Sequence, residues 1–306
     1  MTAAPFTGVW PVAPTPFTDN GELDLESMKR VLDCIIDQGA DGICILANFS
    51  EQFLLTDEER AGLTRLSLEH VAGRVPVIVT VSHFATQIVE ERCRYASDLG
   101  AAMVMMMPPY HGTGLRADEE GVFEHFARAA DAGGIPVMVQ DAPLSGVTLP
   151  VSTLVRMAKE IPLLQYFKIE TPQAASKLRS LIETGGDAIV GPFDGEESIT
   201  LIADLNAGAT GSMCSASLPE LIREVVIDHR ERRGEKAAKG YERILPLINF
   251  ENRQCGWRAC KTIMKEGGVI SSEAVRHPVR ALHPATRAEL IELARPLDLI
   301  AMKWGG

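Results

Sequence analysis

Leu99-Gly100-Ala101-Ala102-Met103-Val104-Met105-Met106-Met107 decides how the rest of the chain is read. Before it, Thr86 to Leu99 has the pattern of a helix, and Gly100 supplies the left-handed residue that stops one. The run that follows is short and apolar at every position, the signature of a strand buried on both faces. Its methionines read as adaptable core filling. A helix that ends on glycine and a buried strand that starts at once describe one turn of an α/β repeat.

The same punctuation recurs at Gly39-Ala40-Asp41-Gly42, Gly73-Arg74-Val75-Pro76, Gly134-Ile135-Pro136, Gly185-Gly186-Asp187-Ala188 and Gly208-Ala209, with Ile161-Pro162 in the same role. Adding an opening strand, the expected strands are Gly8 to Ala13, Gly42 to Leu46, Val77 to Val81, Met103 to Met107, Val137 to Gln140, Leu163 to Lys168, Ala188 to Gly191 and Ala209 to Met213. Helices are expected at Leu25 to Gln38, Asp57 to Val71, Thr86 to Leu99, Asp118 to Ala132 and Pro172 to Glu183, and Thr56-Asp57-Glu58-Glu59 is a capping signature. Strands alternating with helices imply a parallel sheet, and eight such units imply an α/β (β/α)8 TIM barrel. An open doubly wound sheet is the alternative. It would want a glycine-rich phosphate loop after the first strand, where Ala13-Pro14-Thr15-Pro16-Phe17 stands instead. Past Arg230 the strand signal stops, and Glu231 to Gly267 and Pro284 to Ala301 read as helices. The expected organisation is a barrel over residues 1–230 and a C-terminal helical extension over 231–306.

With 306 residues, 46% of them hydrophobic, the chain can bury a large core. The net charge of -11 is interspersed without a basic block, which argues against nucleic acid and anionic membrane and for a small polar metabolite. Met1 to Val12 lacks the pattern of a signal peptide, and no stretch has the roughly twenty apolar residues of a membrane span, so a cytoplasmic location is expected. Six scattered cysteines without C-x-x-C and seven histidines without H-E-x-x-H suggest neither zinc nor redox chemistry.

Chemistry concentrates in Leu163-Leu164-Gln165-Tyr166-Phe167-Lys168-Ile169-Glu170. Other lysines fall in helices or tail, where a cation is expected to reach water, and Arg253, Arg258 and Lys261 are read as a solvated or subunit-facing set. Lys168 lies between Phe167 and Ile169, and lost hydration favours the neutral amine, a nucleophile suited to forming a Schiff base. The structural alternative is a lysine that escapes to solvent or pairs with Glu170. Barrels present their chemistry at the C-terminal ends of strands. There the chain offers Ala47-Asn48-Phe49-Ser50-Glu51, Pro108-Pro109-Tyr110-His111, Gln140-Asp141-Ala142-Pro143, Asp194-Gly195-Glu196 and Ser212-Met213-Cys214-Ser215.

In this order and spacing, Lys168, Pro14-Thr15-Pro16-Phe17, Ser50-Glu51 where many relatives have Thr-Gly-Glu, and Pro108-Pro109-Tyr110 resemble the dihydrodipicolinate synthase and N-acetylneuraminate lyase superfamily. The resemblance implies a lysine-dependent class I enzyme that uses no cofactor or metal, acts on a small 2-keto acid and assembles as a homo-oligomer, a tetramer or dimer. Departures from the family pattern sharpen this. Gln140 stands where family aldolases carry a proton-relaying tyrosine, and an amide has no accessible ionisation with which to relay. His111 replaces a second tyrosine, and Ser145 stands where the synthases hold a second carboxylate with arginine. The pair that holds the keto-acid carboxylate has become Asn48 and Phe49, which leaves Asn48, Ser50 and backbone N–H groups for that task.

Glu170 lies two residues beyond Lys168, on the same side of the strand if the strand persists. The residue set expected is therefore Lys168 and Glu170 as catalytic groups, with Asn48, Ser50, Tyr110, Gln140, Asp194 and Ser212 around the substrate. For Asp194 and Glu196, capping of the following helix is the competing reading. These features resemble the dehydratase branch, in which a 2-keto-3-deoxy sugar acid loses water and a pentonate yields 2-oxoglutarate semialdehyde. Two alternatives stay open: an aldolase that splits the same acid to pyruvate and an aldehyde, and a non-catalytic keto-acid sensor.

Overall fold

Helix ends show the sequence signals acting most locally. Thr56 accepts the Glu59 N–H at 3.1 Å while Glu59 accepts the Thr56 N–H at 2.9 Å, a reciprocal capping box. Asp24 and Asp118 cap two further helices by accepting the N–H groups of Ser27 and Gly121. Gly134, at φ 61°, closes the helix before it in the left-handed conformation that its missing Cβ allows.

Between these stops lie β1 (Gly8–Val9), α1 (Leu25–Asp37), β2 (Ile43–Ile45), α2 (Asp57–Val71), β3 (Val77–Thr80), α3 (Thr86–Asp98), β4 (Met103–Met106) and α4 (Glu119–Gly133). The alternation continues through β5 (Val137–Asp141), α5 (Val151–Glu160), β6 (Leu164–Ile169), α6 (Ala174–Gly185), β7 (Gly191–Asp194), α7 (Leu201–Asn206), β8 (Gly211–Ser212) and α8 (Pro219–Arg230). Three helices follow: α9 (Gly234–Phe250), α10 (Arg258–Glu266) and α11 (Pro284–Ala294). The computed structural model describes residues 5–112, 116–142 and 145–305. The strand order is β1-β8-β7-β6-β5-β4-β3-β2, the order of a (β/α)8 barrel, and the pairs from β3 to β8 are parallel.

Two compact units make up the chain. The first joins the residues up to Gly8 to Val77–Met213. In it β3 to β8 pair in sequence, and every residue of β3, β4 and β5 is buried, as expected of strands covered on both faces. The second joins Val9–Pro76 to the residues from Cys214 onward. Here Val12 bridges both Cys44 and Ser215, and its N–H donates to Cys214 O at 2.8 Å. A segment paired on both sides leaves no open edge at that point.

Several expected boundaries move. The run Gly8 to Ala13 is a strand only at Gly8–Val9, with Val12 held by isolated bridges, because Pro11 has no N–H to donate to a ladder. The seventh strand, expected at Ala188 to Gly191, is Gly191–Asp194, and Gly186–Ala188 form a 3-10 turn. Glycine and proline at 191 and 192 hide the strand from propensity. The β6 ladder decides it, pairing Tyr166 with Gly191 and Ile169 with Asp194.

The expectation that lysines other than Lys168 reach water also fails twice. Lys177 on α6 lies 2.5 Å from buried Asp141 and donates to Leu149 O at 2.7 Å. Lys261 on α10 is fully buried: it pairs with Glu51, donates to Ala274 O at 2.8 Å, and sits 4.3 Å from the centre of the Phe17 ring. An ammonium with an anion, a carbonyl and a π face needs no water. All six cysteines are free and buried.

Candidate active site

β6 runs unbroken through Lys168, and its ladder continues one residue further, where the Glu170 N–H donates to Asp141 O at 3.0 Å. Extended backbone at 168 to 170 brings both side chains to one face, and Lys168 Nζ is ion-paired with Glu170 Oε1. Lys168 is 2% exposed, so the amine is withdrawn from water.

Gln140 sits opposite Lys168 in the β5–β6 register, and its Nε2 donates to Glu170 Oε1 at 2.8 Å. One carboxylate oxygen thus receives donors from both strands. Beneath this group, Asp141 accepts from Lys177, which ties the end of β5 to α6. Burial raises the Asp141 carboxyl above its ordinary range, and Lys177 opposes that rise.

The loop after β7 adds residues that the sequence reading did not select. Glu197 Oε1 lies 3.5 Å from Lys168 Nζ, so the amine faces two carboxylates. Gly195 makes their approach possible. A Cβ there would fall 2.7 Å from Lys168 Cγ and 2.9 Å from Glu170 Cγ, inside van der Waals contact. Local sequence carries no signal for Glu197, because its placement depends on two successive left-handed residues, Glu197 (φ 52°) and Ser198 (φ 68°), neither of them glycine.

Asp194 and Ser212 are brought together by the β7–β8 register, and Ser212 Oγ donates to Asp194 Oδ2 at 2.5 Å. Ser212 Oγ also meets Ser198 Oγ at 2.7 Å. With the Ser212 proton directed to Asp194, Ser198 is the donor of that second bond. Burial and then the neighbouring Asp204 push the Asp194 carboxyl up. The capping reading for Asp194 and Glu196 is not realised: α7 starts at Leu201 with no side-chain cap.

Other expected residues lie as follows. Tyr110 is half-buried in the loop after β4, and His111 packs its ring on Phe84 at 5.7 Å. Ser145 donates to Ala142 O at 2.9 Å, closing its own loop. Asn48 and Ser50 belong to the second unit. There Ser50 Oγ donates to Ala13 O at 2.6 Å and accepts the Ala47 N–H at 3.1 Å, and Asn48 Oδ1 accepts from Gln52 at 2.7 Å. Pro143 of the Gln140-Asp141-Ala142-Pro143 run lies outside the described residues.

Residues 5–296 match the model of the dihydrodipicolinate synthetase family. The chain belongs to this family. Within it, the chain is 59% identical over 297 residues to L-2-keto-3-deoxyarabonate dehydratase of Azospirillum brasilense, covering 97% of this chain and 96% of that one. It is 30% identical to 4-hydroxy-tetrahydrodipicolinate synthase 2 of Streptomyces coelicolor, covering 95% of each. Among solved structures, YagE of Escherichia coli K12, a family protein crystallised with pyruvate, superposes with a TM-score of 0.88 at 25% identity, over 96% of this chain and 99% of that one. A dihydrodipicolinate synthase from Rhodopseudomonas palustris gives 0.86 at 26%, over 94% and 97%. Among the described residues, no helix of this family member is long and apolar enough to cross a membrane.

Proposed function

We propose that this chain is a lysine-dependent hydro-lyase of a 2-keto-3-deoxy sugar acid, converting L-2-keto-3-deoxyarabonate to 2-oxoglutarate semialdehyde. The 59% identity to a dehydratase of that name supports the substrate. The observation that carries the reaction type is Gln140 holding Glu170 to Lys168 where family aldolases use a phenol. Retro-aldol cleavage must remove the C4 hydroxyl proton, which an amide cannot do. Elimination needs a base at C3, which a carboxylate can be.

The steps follow from the imine as electron sink. The Lys168 amine adds to C2, water leaves, and the iminium acidifies C3. Glu170 takes a C3 proton to give the enamine, which expels the C4 hydroxyl as water with a proton returned from Glu170. Loss of a C5 proton from the conjugated iminium gives a dienamine that carries the enol of the C5 aldehyde; protonation at C3 restores the iminium, the enol ketonises with protonation at C4, and hydrolysis frees the product and the lysine. Gln140 and Tyr110 are assigned to substrate oxygens. Asp194 and Ser212, which satisfy each other, support the floor of the site.

In this reading the barrel, residues 1–230, carries the chemistry, and the extension, 231–306, supports it. The chain works as a cytoplasmic homo-oligomer. Product analysis tests the reaction: incubation with 2-keto-3-deoxypentonate should release water and retain all carbons in one product. Stoichiometric pyruvate would instead identify an aldolase. A chain that neither turns over substrate nor gains a borohydride-stable adduct with pyruvate at Lys168 would be a sensor.

A further inference from the structure

Dehydration through an imine needs protons moved at two places: at the nitrogen and C2 oxygen while the imine forms, and at C3 and C4 while water is eliminated. These demands fall at different atoms, so a carboxylate placed at the nitrogen and one placed at C3 can divide them. The site holds a second carboxylate at the nitrogen. Glu197 Oε1 lies 3.5 Å from Lys168 Nζ, and Glu197 is 8% exposed. Glu170 is also ion-paired with the amine, but it shares the same Oε1 with the Gln140 amide, whereas Glu197 reaches the nitrogen from the β7 loop.

The fold holds Glu197 there against local cost. Two consecutive non-glycine residues in the left-handed region disfavour the turn, a strain that persists only where surroundings enforce it. The enforcing contacts are visible: the Ile199 N–H donates to Glu196 O at 3.0 Å, and Ser198, Ser212 and Asp194 form a buried chain of hydrogen bonds that pins the turn to β7 and β8.

We propose that Glu197 is a second catalytic residue, the acid–base group of the imine-forming half of the reaction, leaving Glu170 to the elimination half. Glu197 takes one proton from the Lys168 ammonium. The freed nitrogen lone pair forms the N–C2 bond as the carbonyl π pair moves to oxygen, and the oxygen takes a proton from the nitrogen to give the carbinolamine. Glu197 then returns its proton to the carbinolamine hydroxyl, which leaves as water while the nitrogen lone pair forms the iminium. Counting the two carboxylates and the lysine nitrogen, the net charge is -1 in the ammonium, amine, iminium and enamine states alike. No step leaves an uncompensated new charge in a buried site.

This inference rests on the Schiff-base reading above, and one experiment separates the two. Wild type, Glu197→Gln, Glu197→Asp and Glu170→Gln are incubated as full chains with pyruvate in D2O and quenched with borohydride. The Lys168 adduct is then followed by mass for both rate and deuterium content. Glu197→Gln should form adduct roughly 10²–10⁴-fold more slowly, yet with deuterium in the methyl group. Glu170→Gln should form adduct near the wild-type rate but without deuterium, and Glu197→Asp should recover part of the lost rate. Wild-type trapping rates in Glu197→Gln, or a protiated adduct from it, overturn the division of labour. Absence of adduct in wild type overturns the Schiff-base reading itself. A merely structural Glu197 would lower trapping and deuteration together, which also counts against the proposal.

Discussion

Gln140 Nε2 donates to Glu170 Oε1 at 2.8 Å, while the β5–β6 ladder sets Gln140 beside Lys168. A residue that cannot relay protons thus aims one that can. Gln140→Leu removes the donor but little volume. Loss of a hydrogen bond to a charged group is worth about 1.5–3 kcal/mol, so kcat should fall roughly 10–100-fold. Borohydride trapping of pyruvate at Lys168 should persist. Unchanged kcat in steady-state assays would remove Gln140 from the aiming role.

Gly195 is the contact point between the β7 loop and the two site residues of β6. Gly195→Ala places a methyl where Lys168 Cγ, Glu170 Cγ and the Ile169 carbonyl carbon stand within 3 Å. Overpacking of this kind costs about 1–3 kcal/mol, read as a lower urea midpoint, and the shifted lysine should lose most of its turnover. Retention of both stability and rate would show that the loop yields freely.

Lys261 and Glu51 form a buried ion pair in the second unit. Burial lowers the Lys261 ammonium and raises the Glu51 carboxyl from their ordinary values, and each partner opposes the other's shift. Lys261→Met strands Glu51 and should cost about 3–5 kcal/mol in chemical denaturation, whereas Lys261→Met with Glu51→Gln should recover part of that loss. If the single and double variants are equally unstable, the pair is not the source.

Glu251 accepts from Ser215 and Ser217 at 2.5 and 3.0 Å, and burial pushes its carboxyl up to about 7. The unfolded group titrates near 4.5. Between these values the folded chain holds more protons than the unfolded one, so this group's effect on stability is most favourable below 4.5 and declines as pH rises to about 7. The full decline is on the order of 3 kcal/mol. Glu251→Gln should flatten that part of the stability–pH profile, measured by denaturation between pH 5 and 8. A variant with the wild-type slope would assign the slope to other groups.

Much of this was legible before any coordinates. Glycine stops, buried runs and the Thr56–Glu59 box are local, and they identified the alternation of the barrel and the ends of its helices to within a few residues. That Lys168 and Glu170 share one face was legible because strand alternation over two residues is local as well. The seventh strand was not, since Gly191 and Pro192 have no strand propensity and only pairing with β6 extends them. Lys261 was misread for a related reason: its helix looks solvated until Glu51, Phe17 and the Ala274 carbonyl arrive from distant parts of the chain.

By itself, the order of residues determined a parallel α/β repeat and one lysine embedded in an apolar strand, because both follow from backbone geometry over a few positions. Only the tertiary structure decided that this lysine meets a second carboxylate, since a strained turn and the β7–β8 ladder deliver Glu197 to it from 29 positions away. The physical reason is that burial and charge pairing are set by whichever neighbours the fold supplies, and no local pattern encodes them.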